Sequence, residues 1–456
     1  MESLSAYILT FNCARNVVEP EQFASHLFDG LNTSQPESPQ ADANLPDILI
    51  LALQEIAPIA YAFLGGSYLD QYYASVRSVV DRATAVKGGA GYDDNGGVHY
   101  VNLLSKNVGL TALMVFARND VSGRIRYVEV AEVGVGVQET GNKGAVGARI
   151  GYLAGSEEDS NDDGEDDIVE MTFVSAHLAP GEREWKRRNE DWKSIAQRLV
   201  FHPEEAENSS DRTHPQEDEE GVPLLRAPSS LSTPSALYSP KSYLLVAGDF
   251  NYRTSDTGPG PDDCRRFPRP RDDPNDFVHF ADLFMQDQLT REREAGRVFD
   301  ELQEAKITFP PTYKYSLEAR DAALADPNGN WKWAKNRWPS WCDRILYRSH
   351  PSVVTESAGI KVHMYTVLPL FSTSDHRAVV LFISVPLKAH PEPGTYLSPF
   401  EVDPHWDTKR AAARRKELAI GAAAYLGLTW EGNGLMLAAF LAVAAAYYGF
   451  RTFLAG

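Results

Sequence analysis

The stretch LLVAGDFNYRT, residues 244–254, decides how this chain is read. Apolar and small residues run straight into Gly248, Asp249, Phe250 and Asn251. Alternate residues of a strand share a face, so Asp249 and Asn251 look into one space where a buried strand meets solvent. A carboxylate and an amide placed together can hold a water and an oxyanion. They can equally cap the next turn. Partners elsewhere in the chain decide between the two.

Short apolar runs recur at 6–11, 47–53, 108–117, 143–153, 168–176, 243–247, 342–347 and 377–387, and read as buried strands. Many present a polar residue at one edge. YILTFN ends on Asn12, ILALQE on Glu55 and TFVSAH on His177. WCDRILY carries Asp343, and Ser374, Asp375 and His376 open the last run. Each alone is an ordinary turn or cap residue. Together they resemble parts drawn from several strand ends onto a rigid scaffold. Glu55, Asp375, Asp249, Asn12 and Asn251 offer oxygen, which suits a hard cation such as Mg²⁺ rather than zinc. His177 and His376 are then left to meet an anionic oxygen. A metal, a water-activating carboxylate, an amide and two histidines make a hydrolytic phosphate site.

Helical patterns lie between the strands, at 56–85, 182–201 and 275–304, which places the chain in the α/β layered class. With 456 residues, 43% of them hydrophobic, it can bury a large single domain with insertions, or two domains. A net charge of −19 excludes a general nucleic-acid binder, because phosphate backbones demand a basic footprint. Much of the acid sits in a loop at 156–167 and in 202–240, which reads as a disordered insertion. Cys13, Cys264 and Cys342 match no zinc spacing and point to a reducing compartment. MESLSAYILTF has no basic leader region, so no signal peptide is expected.

Near the C-terminus come Lys409, Arg410, Arg414, Arg415 and Lys416, then apolar runs at 418–430 and 434–450 interrupted by Glu431. Basic residues before an apolar tail predict a membrane anchor with the body on the cytoplasmic side. Domain expectations are therefore a catalytic body over 1–387, a linker with a basic cluster over 388–417 and an anchor over 418–456.

Two long motifs, GDFNYR at 248–253 and RWPSWCDRIL at 337–346, stand among FNCA (11–14), LQE (53–55), GNKGAVGAR (141–149), SAHL (175–178), RRNEDW (187–192), PPTYKY (310–315) and SDHRAV (374–379). In content and order they resemble the inositol polyphosphate 5-phosphatases of the endonuclease/exonuclease/phosphatase superfamily, over residues 5–387. The resemblance implies a four-layer α/β sandwich, two packed mixed sheets flanked by helices, with the ligand at one edge. It implies that Glu55 ligates Mg²⁺ with Asn12 and Asp375 close by. It implies that Asp249 handles the attacking water and that Asn251 holds a phosphate oxygen. His376 pairs with Asp343 and contacts the phosphate, as does His177 from another strand. Lys143 and Arg253 would add positive charge, and Tyr313, Lys314, Lys335 and Arg337 match positions that grip a neighbouring 4-phosphate.

Two departures stand out. The HLAAH run common in the family is HLAPG here, with Pro180 and Gly181, and SDHRPV is SDHRAV. The first removes one phosphate contact. Cys342, in a strand-like run, reads as packing and not as a thiol nucleophile. The implied activity is Mg²⁺-dependent removal of the 5-phosphate of a phosphoinositide lipid, foremost phosphatidylinositol 4,5-bisphosphate. The tail resembles that of fungal enzymes anchored on the endoplasmic reticulum, and a monomer is expected. A DNase-like nuclease is disfavoured by charge and motifs, a sphingomyelinase-like phosphodiesterase by motifs. A silent tether is disfavoured by the completeness of the site.

Overall fold

The computed structural model describes residues 3–29, 31, 45–87, 97–155, 168–203, 235–268, 280–326, 332–349, 359–387 and 398–455. The acidic loop 156–167 and most of the insertion, 204–234, lie outside the described residues.

Twelve strands form two sheets: β1 (Ser3–Asn12), β2 (Ile48–Gln54), β3 (Tyr100–Val108), β4 (Thr111–Arg118), β5 (Ile125–Gly134), β6 (Gly144–Leu153), β7 (Ile168–His177), β8 (His202–Pro203), β9 (Ser242–Asp249), β10 (Asp343–Arg348), β11 (Lys361–Leu370) and β12 (Arg377–Pro386). One sheet runs β11-β12-β1-β2-β4-β3 and the other β10-β9-β7-β6-β5-β8. Each is mixed, with one parallel pair, β1–β2 and β7–β9, among antiparallel neighbours. The helices are α1 (Pro20–Ala24), α2 (Ile59–Leu64), α3 (Asp70–Lys87), α4 (Asn119–Ser122), α5 (Trp185–Arg198), α6 (Ala281–Phe284), α7 (Gln288–Glu294), α8 (Leu317–Ala323), α9 (Trp406–Leu428) and α10 (Trp430–Ala455).

The unbroken apolar runs follow from burial on both faces of the central strands. Ile8, Ile50 and Val115 meet Val146, Phe173 and Leu245 between the sheets. Their neighbours Leu9, Leu51 and Met114 turn outward, onto Tyr72, Val76 and Val79 of α3. On the opposite outer face, Val174, Leu244 and Val246 pack on Trp192 and Ile195 of α5. Helix, sheet, sheet, helix is the expected four-layer sandwich.

Two expected helices are modified. The 56–85 pattern is broken between α2 and α3 by Gly65 and Gly66, whose φ values of +72° and +56° favour glycine. Among its described residues the 275–304 pattern yields α6 and α7, and Gly296 (φ +62°), Phe299 and Glu301 turn the chain left-handed after α7.

Of the expected linker, residues 398–417 are described, and they contact the body. Asp403 N–H donates to Gln197 O at the end of α5 at 2.9 Å, and α9 begins at Trp406. Of the basic cluster, Arg410 and Arg414 point inward to carboxylates and carbonyls of the body. The 418–428 run is also not free, since Gly421 of α9 lies against Phe63 and Leu64 of α2. Thr429 ends α9 and caps α10, its hydroxyl accepting from Gly432 N–H at 3.1 Å. Trp430–Leu454 is long and apolar enough to cross a membrane, with a mean hydropathy of 1.5 over its most apolar window.

Candidate active site

Strand register gathers the site. Asp249 at the end of β9 lies opposite Asp343 of β10 on one side and His177 of β7 on the other. On the facing sheet Asn12 ends β1 beside Gln54 of β2, and Glu55 follows at once. Glu55 and Asn251 hold φ values of +46° and +59°, so both strand ends turn sharply into the site. A cavity of about 430 Å³ opens there, with Glu55, Lys143, His177, Asp249, Arg253 and His376 among its lining.

Asp249 is fully enclosed. Its Oδ2 accepts from Asn12 Nδ2 at 3.0 Å and lies 3.3 Å from His177 Nε2 and 3.9 Å from His376 Nε2. Its Oδ1 accepts from Asn251 N–H at 3.0 Å. Burial opposes its ionisation, but the His177 hydrogen bond and the His376 and Lys143 charges outweigh that and hold its pKa far below the ordinary carboxylate value.

His376 Nδ1 sits 2.9 Å from Asp343 Oδ2, which also accepts from Thr312 Oγ1 at 2.6 Å. Burial works against the imidazolium, yet Asp343 and Asp249 raise its pKa to about 9. Burial first, then the Asp249 charge, pushes the Asp343 carboxyl up, and its Oδ1 has no hydrogen-bond partner among the described residues. The pair therefore holds one proton between them. His177 goes the other way: burial and the neighbouring Lys143 lower its pKa, and it meets the cavity as a neutral ring.

Cations ring the cavity. Lys143 Nζ contacts His177 and stands 3.9 Å from Glu55 Oε1. Arg253 is buried over the Tyr313 ring at 4.4 Å, bonds Asn251 Oδ1, and leaves Nη1 without a hydrogen-bond partner among the described residues. A buried guanidinium N–H with nothing to bond is a ready place for an anion. Lys314 Nζ pairs with Asp375 Oδ2 at 2.9 Å. Lys335 and Arg337 are not among the lining residues. Lys335 is exposed, and Arg337 Nε lies 3.9 Å from Glu182 Oε1.

For a metal, one oxygen or ring nitrogen from each of Asp249, Asp343 and His376 lies within 4.8 Å of the others. Asp343 and His376 already bond each other, and Asp249 accepts from Asn12 and Asn251. The Glu55 carboxylate is better suited: it lines the cavity with Asp375 and Asn12, all oxygen donors, and its side chain is 22% exposed. That set fits a hard divalent cation. Asn12 also orients Asp249, and its Oδ1 accepts from Ala14 N–H at 2.9 Å.

Residues beyond the sequence expectation complete the site. Arg15 pairs with Glu55 at 3.0 Å, and Ser374 Oγ ties Asn12 O to His376 N–H. Arg15 directly follows FNCA, and Thr312 and Ser374 lie inside quoted motifs. Their roles depend on contacts across the fold. Cys342 is fully buried, its thiol pushed well up by that burial, as packing requires.

A family model described as endonuclease/exonuclease/phosphatase family 2 matches residues 9–382. Type II inositol polyphosphate 5-phosphatase 15 of Arabidopsis thaliana is 29% identical over 303 residues, 63% of this chain and 24% of that protein. Inositol-1,4,5-trisphosphate 5-phosphatase 1 of Schizosaccharomyces pombe is 30% identical over 285 residues, 62% of this chain and 20% of that protein. Homo sapiens synaptojanin-1 is 29% identical over 311 residues, 63% of this chain and 16% of that protein. The matches span no more than a quarter of these relatives' lengths. Among solved structures, the inositol polyphosphate 5-phosphatase domain of SPsynaptojanin, in complex with inositol (1,4)-bisphosphate and a calcium ion, superposes with a TM-score of 0.55 at 23% identity. That likeness covers 92% of this chain and 90% of the other, and shows the fold. With the sandwich, the strand-end site and the motif order all in place, the chain belongs to the endonuclease/exonuclease/phosphatase family 2, and the curated relatives it resembles are inositol polyphosphate 5-phosphatases.

Proposed function

We propose that this chain hydrolyses the 5-phosphate of phosphoinositides, phosphatidylinositol 4,5-bisphosphate foremost, at a membrane surface and with Mg²⁺. The observation that carries this is Asp249, buried and held ionised between His177 and His376 beneath a cavity ringed by cations. The relatives' names supply the 5-phosphatase chemistry, and the apolar α10 favours a lipid over a soluble inositol phosphate.

Phosphoryl transfer needs an in-line nucleophile and neutralised oxygens more than covalent chemistry. A carboxylate as acidic as Asp249 is a weak base, so its first duty is to orient the attacking water. His376, cationic through Asp343, directs Nε2–H at a phosphate oxygen. The second N–H of Asn251 Nδ2, whose first goes to Leu178 O at 3.1 Å, serves another. Lys143, and Arg253 through its unpartnered Nη1, balance the remaining charge, and Lys314 and Tyr313 meet the neighbouring 4-phosphate. Glu55, Asp375 and Asn12 would hold Mg²⁺, which supplies Lewis-acid neutralisation of the phosphate. The anchor would keep the body on the cytoplasmic face, and the tail's resemblance favours the endoplasmic reticulum. No nucleic-acid partner is proposed, and the body acts as a monomer.

The test is phosphate release by the full chain with Mg²⁺ in mixed micelles carrying 4-phosphate, 5-phosphate or 4,5-bisphosphate lipids. Release is expected only from the 5-position, and Asp249→Asn should cut kcat by about 100-fold or more. Nicking of DNA with no lipid turnover would overturn the reading.

A further inference from the structure

Helix α9 does more than connect the body to the apolar tail. Glu417, 0% exposed, lies on its inner face. Its Oε1 accepts from Gly141 N–H at 2.8 Å, and both oxygens take the fork of Arg410 at 2.8 and 3.1 Å. Gly141 opens the turn that carries Asn142 and Lys143 into the cavity. Its carbonyl accepts from Leu110 N–H at 2.9 Å, and Leu110 O accepts from Ile56 N–H at 3.2 Å, one residue past Glu55. Gly109 and Gly141 are so close that a Cβ on Gly109 would fall 2.2 Å from Gly141 O. Hydrogen bonds thus link Glu417 through Gly141 and Leu110 to Ile56, so that the chain passes two residues from Lys143 at one end and one from Glu55 at the other.

A second grip comes from the same helix. Arg414 donates to Phe63 O at 2.6 Å and Leu64 O at 2.9 Å, closing the C-terminus of α2. The first residue of α2, Ile59, lines the cavity. Tyr61 of α2 also donates to Glu431, at the start of α10, at 3.4 Å. One short helix is therefore at once a cavity wall and the seat of the tail.

We propose that α9 is part of the active-site framework, with Glu417 a positioning residue that sets the Gly141–Lys143 turn against Glu55, so that catalysis depends on the tail helix being docked. The proposal rests on the catalytic reading of the site. It separates docking from anchoring: a helix that only tethers leaves the turnover of a dissolved substrate untouched.

The experiment uses the full chain in detergent micelles and a water-soluble inositol polyphosphate bearing a 5-phosphate, so that membrane attachment plays no part. Glu417→Ala is expected to lower kcat about tenfold with KM within about twofold, and Glu417→Gln, which keeps an oxygen for Gly141 N–H, to recover to within about threefold of wild type. Arg415→Ala, exposed on the outer face of α9, leaves activity unchanged. In a Lys143→Met background the same Glu417→Ala change is expected to cost less than about twofold, because the group it positions is gone. Equal losses in both backgrounds, or none in either, overturn the proposal. Amide hydrogen exchange of the 136–145 segment gives a reading without turnover. It should quicken in Glu417→Ala and, should that variant not fold, more modestly in Glu417→Gln; unchanged protection in the folded variant overturns the proposal. An inactive wild type would instead defeat the function proposed above, while the exchange result would still judge the docking.

Discussion

One proton shared by Asp343 and His376 sets how the site responds to pH. Burial disfavours a cation at His376, but Asp343, Asp249 and Asp375 lift its pKa from 6.5 to about 9. A folded-state value above the unfolded one means that the stabilisation is complete below about pH 6.5 and is lost as pH climbs through about 9. Under the proposed function the same titration removes the cation that would face the phosphate, so kcat/KM should fall as pH rises through that value. Asp343→Asn takes away the strongest upward influence, and its alkaline limb should move to lower pH in a kcat/KM profile. An unmoved limb would show that another group titrates. The strand-end rule made Asp249, Asn251, His177 and Glu55 legible in the sequence, because period-two alternation and a change from apolar to polar are local signals. Arg15 and Thr312 were not, because each acts through a partner far away along the chain, Thr312 through Asp343 and Arg15 through Glu55, and the tie of Ser374 to Asn12 was hidden for the same reason.

At the scale of elements, β9 carries the greatest responsibility. It is the centre of its row of polar ends and is buried along its whole length. Leu245, 1% exposed between the sheets, holds it against the facing layer. Leu245→Ala should cost about 2–5 kcal/mol, read from the shift of a chemical-denaturation midpoint. The strands with uninterrupted apolar runs were legible. The edge strands β3 and β11 were not: Asn102, Lys106, Lys361 and His363 face outward, and a half-exposed strand resembles a polar loop. β5 was hidden by Glu129 and Glu132. The 275–304 pattern had helical periodicity, but left-handed residues after α7 overrode it.

For the whole molecule, charge and anchoring work against each other. A chain of net charge −19 is repelled by an anionic bilayer, so under the proposed function the apolar helix would have to supply the attachment. At 1.5 Å per residue α10 is about 39 Å long, enough for a hydrocarbon core of about 30 Å. The paired change Phe440→Asp and Val443→Asp, at exposed positions of α10, should cost about 5 kcal/mol or more of insertion and leave the chain unfloated in a liposome gradient. Flotation equal to wild type would remove α10 as the anchor. The tail's apolar character was legible from composition. That α9 is fastened to the body was not, because the arginines that fasten it read as the basic flank of a membrane segment.

The contact of α2 with both the cavity and the root of α10 has a geographical consequence under the proposed function. A body on a long loose leash sweeps a hemisphere and can reach a neighbouring membrane. A body seated at the root of its own anchor samples area instead of volume. Its rate would follow the surface density of lipid in the sheet it stands on, and a facing bilayer, however rich in substrate, would lie out of its territory.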